Sequence, residues 1–291
     1  MRRKSLCAGM VAAALALWWL CGLPAGRMAV AAEQSAAAST VVRLSVPSRH
    51  TGIAMPVLVY LPAGYDAGVA YPVWYGLHGY STTQSMWLTH AGIGDVADAL
   101  IAQGSLRPLM MVFPLTRYDS AKTIRADMAD GERGASQMER FVCEELVPYI
   151  DAHYATQAAP EGRFIGGFSM GGLFALQIGL HHPALFGKIG AYSPALTKDD
   201  FGGAAFDVWL NYDNPTPAAD VRDYACTHGL AGLQIDLDCG AAGDPFAAGA
   251  ASLAQALQAR GVAVRFAQHG GGHTLQADRL AGYLLFYAGK E

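Results

Sequence analysis

From about residue 40 onward the apolar positions fall into short runs of two kinds, and the kinds alternate. Val41–Val46 (VVRLSV) and Pro56–Leu61 (PVLVYL) are β-rich runs joined by a glycine-containing link, which predicts an antiparallel pair. Tyr71–Leu77 (YPVWYGL) reads as an apolar strand, followed by a helical stretch over Gly94–Gln103. Leu109–Phe113 is the next strand, after which Met138, Phe141, Val142, Leu146, Tyr149 and Ile150 recur at helical spacing. Pro148 lies inside that helix and predicts a kink, because proline lacks the N–H and its ring crowds the preceding turn. Further on come strands at Arg163–Phe168, Lys188–Tyr192, Leu233–Asp238 and Val262–Ala267. Between and after them, helices are expected at Leu173–Leu180, Ala250–Arg260 and Leu275–Tyr287. Strands that alternate with helices build a mostly parallel sheet, here of about eight strands, with helices on both faces. The class is α/β, in one domain, with no internal repeat.

Two connections are too long for plain loops: Pro114–Gly134 and Ser193–Gly232. Each leaves the C-terminal end of a strand, the edge at which open α/β sheets bind ligands. They are candidate walls of a substrate cleft.

The N-terminal segment is of another kind. MRRKS is basic, Leu6–Leu23 is an unbroken apolar run, and small residues follow in AVAAE. This is the pattern of a secretory signal peptide, cleaved near Ala31 or Ala32. Residues 1–32 are therefore set apart as a signal and residues 33–291 as the domain, and the protein is expected to be secreted or periplasmic. Contact with a membrane is expected only if the segment stays uncleaved. Removing Arg2, Arg3, Lys4 and Arg27 from 20 basic residues leaves 16 against 24 acidic ones, a net charge near −8. That balance excludes nucleic acid and anionic lipid as main partners.

Cys143, Cys226 and Cys239 remain in the mature chain. They form no CxxC and no zinc-like spacing, so neither a metal nor a cofactor is expected. His181 and His182 are adjacent and read as surface or capping residues. Cys226 and Cys239 invite a disulfide in an exported chain, yet they are expected not to pair. A short helix over Val221–Thr227 would put Cys226 near the start of the following strand and Cys239 at its far end. Six strand residues span roughly 20 Å, against the ~7 Å limit between the Cα atoms of a disulfide.

Gly167-Phe168-Ser169-Met170-Gly171 carries the chemistry. It matches G-x-S-x-G with an apolar strand before it and a helix after it, the setting in which a serine hydroxyl projects from a sharp turn above the sheet edge. A serine hydroxyl is a weak nucleophile and needs a base oriented by a third group. In this arrangement the chain order is Ser, then Asp or Glu, then His. Of the nine histidines, those before Ser169 and those ending its helix are out of order, and His228 precedes the next strand. His269 and His273 in QHGGGHT remain. We choose His273, carried over the sheet edge by three glycines, with His269 second. Asp236, Asp238 and Asp244 compete for the acid. Asp236 and Asp238 share one strand face and read as structural, so we choose Asp244, on the loop beyond, with Asp238 second. The developing oxyanion needs two backbone donors, and the N–H groups of Met170 and Tyr80 are the candidates. His78 is read as a residue that shapes the loop carrying Tyr80.

Four segments in this order, YPVWYGLHGYSTTQSMW, GFSMGG, CGAAGDPF and GGHT, resemble the esterase D-type branch of the α/β-hydrolases. That branch includes S-formylglutathione hydrolases, feruloyl and acetylxylan esterases, enterochelin esterases and mycolyltransferases. The resemblance runs from about residue 41 to the C-terminus. It implies the α/β-hydrolase fold, Ser169 as nucleophile with Asp244 and His273, Tyr80 and Met170 as oxyanion donors, and Trp87 near the acyl pocket. The expected activity is hydrolysis of a carboxylic ester, of a small molecule, glycan or lipid. Acyl transfer to a sugar or lipid, or a non-catalytic binding role on the same fold, are the alternatives. One departure stands out: Leu275 and Gln276 follow GGHT where the family often has tryptophan.

Overall fold

The computed structural model describes residues 38–116, 136–196, 230, 232–259 and 261–290. All lie within the compact unit Ala36–Glu291. The expected cleft walls and Cys226 fall wholly or mostly outside these residues.

Eight strands form one sheet: β1 (Thr40–Pro47), β2 (Ala54–Leu61), β3 (Val73–Leu77), β4 (Met110–Pro114), β5 (Arg163–Phe168), β6 (Lys188–Tyr192), β7 (Gln234–Gly240) and β8 (Ala263–His269). Their order is β1-β2-β4-β3-β5-β6-β7-β8. The pairs β1–β2 and β2–β4 are antiparallel, and from β4 across to β8 every pairing is parallel.

The central strands are apolar on both sides because both faces are covered. In β3, Val73, Tyr75 and Leu77 belong to one core cluster, while Trp74 belongs to the other. The helices divide accordingly. The first cluster takes residues of α3 (Gln137–Arg140), α4 (Val147–His153), α5 (Met170–His181) and α6 (Ala247–Ala259). The second takes residues of α1 (Met86–Thr89), α2 (Ile93–Ala102) and α7 (Leu280–Ala288). Both layers are required: α5 is apolar all round, with every residue from Met170 to Leu180 buried.

The helix around Pro148 is not uniformly α: a π-turn, Phe141–Leu146, links α3 to α4, and Pro148 lies in the first turn after it. The N–H of Val147 reaches back to the carbonyl of Val142, so the wider turn gives the proline ring room. Of the two adjacent histidines read as surface or capping residues, His182 is the cap and His181 is a correction. The His181 side chain is fully buried, and both rings bond Oε1 of the buried Glu139, at 2.9 and 2.8 Å. Adjacent residues do not share a helix face, but α5 ends here. His182 is its C-cap and has left the helical conformation, which frees its ring to turn toward the same carboxylate.

Candidate active site

Ser169 follows β5 directly and caps α5 with φ 57° and ψ −118°, a conformation that side-chain-bearing residues rarely adopt. The surroundings hold it there. Its N–H donates to the Tyr192 carbonyl at 3.0 Å, and its own carbonyl accepts from Leu173 and Ala195 at 3.0 and 3.1 Å. The flanking glycines are required by close approach. A Cβ on Gly167 would lie 2.3 Å from the Gly171 carbonyl oxygen, and one on Gly171 would lie 2.3 Å from the oxygen of Leu77. The turn is thus wedged between β5 and the end of β3 with no room for a methyl group.

The structure brings Ser169, His273 and Asp244 together. His273 Nε2 lies 2.8 Å from Ser169 Oγ, and Nδ1 lies 3.2 Å from Asp244 Oδ1. Asp244 Oδ1 also accepts from the N–H of Phe246 at 3.0 Å, and Oδ2 accepts from Gly240 at 2.9 Å. Burial alone would raise the pKa of this carboxyl. The backbone N–H groups of Gly240 and Phe246 lead the contributions that outweigh burial and hold it below the usual value. Asp244 is therefore anionic at neutral pH and orients His273 with Nδ1–H toward itself, which leaves Nε2 free to take the serine proton. The His273 ring stacks on Phe168 at 4.9 Å and meets the edge of Phe246 at 4.8 Å. In a chain without the tryptophan after GGHT, these two rings supply the packing around the histidine.

The rival acids are occupied elsewhere. Asp236 forms a two-pronged pair with Arg265, at 2.7 Å on each prong. Asp238 is bound by Arg279 at 2.9 Å, by the Tyr283 hydroxyl and by the N–H of Ser193. His269 ends β8 buried, and among the described residues neither ring nitrogen has a hydrogen-bond partner.

Above the serine, the loop after β3 passes so close that a Cβ on Gly79 would sit 3.6 Å from Ser169 Cβ. The next residue is Tyr80, and Met170 opens α5. Among the described residues neither backbone N–H has an acceptor. Trp87, expected beside an acyl pocket, is fully buried. Its indole N–H donates to the Leu77 carbonyl at 3.1 Å and its ring meets Trp74 and Tyr192, so it backs the loop from beneath. His78 is buried and joins two strand ends: Nε2 accepts from the N–H of Thr116 at 2.9 Å, and Nδ1 lies 2.9 Å from the Gly79 carbonyl. Sequence reasoning missed Phe168, Phe246 and Thr116. The first two stand inside motifs already singled out, but nothing in the sequence puts Thr116 beside His78. Among the described residues there is no group of three or more His, Cys, Asp or Glu able to hold a metal. Cys143 and Cys239 are free thiols, while Cys226 lies outside the described residues.

Residues 48–277 match the family described as putative esterase. The chain belongs to this family. It is 33% identical over 164 residues to an endo-1,4-beta-xylanase/feruloyl esterase of Xylanibacter ruminicola, covering 52% of this chain and 22% of that one. It is 32% identical over 149 residues to an esterase of Mycobacterium tuberculosis, covering 50% and 30%. The chain thus spans a third or less of the length of these two curated relatives. Among solved structures, a ferulic acid esterase of Anaeromyces mucronatus in complex with ferulic acid superposes with a TM-score of 0.69 at 21% identity, over 88% of this chain and 92% of that one. An S-formylglutathione hydrolase of Staphylococcus aureus does so at 0.66 and 15%, over 86% and 97%. The likeness establishes the α/β-hydrolase fold.

Proposed function

We propose that the protein is a serine hydrolase of carboxylic esters that works through an acyl-enzyme on Ser169. The observation that carries this reading is the 2.8 Å contact between Ser169 Oγ and His273 Nε2, with Asp244 anionic behind the ring. His273 takes the serine proton as Oγ attacks the ester carbonyl. The negative charge that develops on the carbonyl oxygen is met by the N–H groups of Met170 and Tyr80, where the N-terminus of α5 also favours it. When the tetrahedral adduct collapses, the C–O bond to the alcohol breaks and His273 gives its proton to the departing oxygen. Water then enters, loses a proton to His273, and attacks the acyl carbon. The acid leaves, and the proton returns to Ser169. Membership of the putative esterase family and the names of its relatives support ester substrates. We read residues 1–32 as an export signal, so the enzyme acts outside the cytoplasm.

A fluorophosphonate probe tests the nucleophile, since it labels only an activated serine. The wild type is expected to be labelled and Ser169→Ala to remain blank; equal labelling of both would overturn the assignment. A panel of nitrophenyl esters, from acetate to hydroxycinnamate, then reads out the acyl preference.

A further inference from the structure

The oxyanion donor at Tyr80 is one end of the Gly79–Tyr80 peptide, and three groups converge on the other end. The Gly79 carbonyl accepts from the Thr82 hydroxyl at 2.7 Å, from the Thr82 N–H at 3.3 Å and from His78 Nδ1 at 2.9 Å. Proton positions on His78 follow from its partners. Nε2 faces the backbone N–H of Thr116, which can only donate, so Nε2 is the acceptor and the proton sits on Nδ1. The Nδ1–H therefore donates to the Gly79 carbonyl. The ring is anchored in turn, since the Thr116 hydroxyl lies 2.8 Å from the same Nε2. Gly79, Tyr80, Ser81 and Thr82 form a turn whose third residue, Ser81, has φ 60°. Glycine or asparagine usually fills that position. A serine there stores strain, and strain persists only where the surroundings over-determine the backbone.

We propose that Thr82, with His78, is a positioning residue for the oxyanion donor: it holds the Gly79 carbonyl so that the N–H of Tyr80 faces the substrate oxygen above Ser169. The physical link is the planar trans peptide, in which C=O and N–H point in opposite directions. Pinning the Gly79 oxygen toward Thr82 and His78 aims the Tyr80 N–H the other way, on the side where Gly79 backs onto Ser169. Without the pin, this peptide can rotate about ψ of Gly79 and φ of Tyr80, and the donor turns away. The hydroxyl is the shortest of the three contacts and belongs to the loop itself. His78 ties the same carbonyl to the end of β4. This inference rests on the esterase reading, and it concerns turnover more than binding, because the donor matters where charge develops.

Thr82→Val removes the hydroxyl and keeps the shape of the side chain. Loss of a whole oxyanion donor lowers kcat by roughly 100- to 1,000-fold, so a displaced one is expected to lower kcat by about tenfold with KM nearly unchanged. Thr82→Ser restores the donor and is expected to restore kcat. Thr83→Val is the control: it deletes a hydroxyl on the same loop that, among the described residues, hydrogen-bonds only Ser85, and kcat is expected to hold. Thermal unfolding checks that each variant is folded, with Thr82→Ala replacing Thr82→Val if the latter is not. The proposal is overturned if Thr82→Val turns over as the wild type does, if its defect lies in KM alone, if Thr82→Ser fails to rescue, or if Thr83→Val is equally impaired. Fluorophosphonate labelling of the wild type separates the two readings: an unlabelled wild type sinks the esterase reading itself, whereas a labelled one confines any failure to Thr82.

Discussion

Ser169 occupies a conformation suited to glycine, and that has a consequence for stability as well as for chemistry. Its φ and ψ of 57° and −118° cost on the order of 1–3 kcal/mol for a residue with a Cβ. Hydrogen bonds from Leu173 and Ala195, and to Tyr192, offset the strain. Ser169→Ala keeps the Cβ and hence the strain, while Ser169→Gly removes it. Both variants lose the hydroxyl, but Ser169→Gly is expected to be the more stable by about 1 kcal/mol. Urea unfolding midpoints measure the difference. If Ser169→Ala proved as stable as Ser169→Gly, the turn would not be strained by its side chain.

Between elements, one buried polar contact outside the candidate active site is Glu139 of α3 against His181 and His182 at the end of α5. It ties the helix that follows Ser169 to α3. Burial by itself would raise the Glu139 pKa. The hydrogen bonds and charges of the two histidines outweigh it and leave the carboxyl below its usual range. A depressed folded-state pKa stabilises the fold above the unfolded value of about 4.3, and that contribution is lost as pH falls through the lower folded value. Glu139→Gln is therefore expected to lower stability by roughly 1–3 kcal/mol at pH 7. The gap to wild type should narrow once the pH drops below about 4.3. Urea titrations at pH 7 and pH 3.5 report it, and a gap of equal size at both would show that the charge on Glu139 is not what binds the helices.

For the whole molecule, Ser169 follows β5, Asp244 follows β7 and His273 follows β8, all leaving the same edge of one sheet. A parallel sheet brings those ends together because successive strands run the same way. On the proposed reading, residues 1–32 are an export signal, and their removal leaves an acidic chain with 16 basic and 24 acidic residues. Intact mass of the protein recovered from outside the cytoplasm is expected to match a chain that starts at Ala32 or Glu33. A mass that retains residues 1–32 would show that the segment is an uncleaved anchor.

Alternation of apolar runs was enough to read eight strands, their class and the strand-turn-helix around Ser169, because burial on both faces of a parallel sheet leaves its mark on every central strand. Chain order was enough to single out Asp244 and His273, which the structure places in line with Ser169, because both follow strands that end at the serine's edge of the sheet. Side-chain partners between distant segments left no such mark. That His181 and His182 share one buried carboxylate 42 and 43 positions away, that Pro148 is accommodated by a π-turn, and that Thr116 anchors His78 are set by how helices and strand ends dock. Periodicity records which face of an element is buried. Only the tertiary structure decides which residue meets it there.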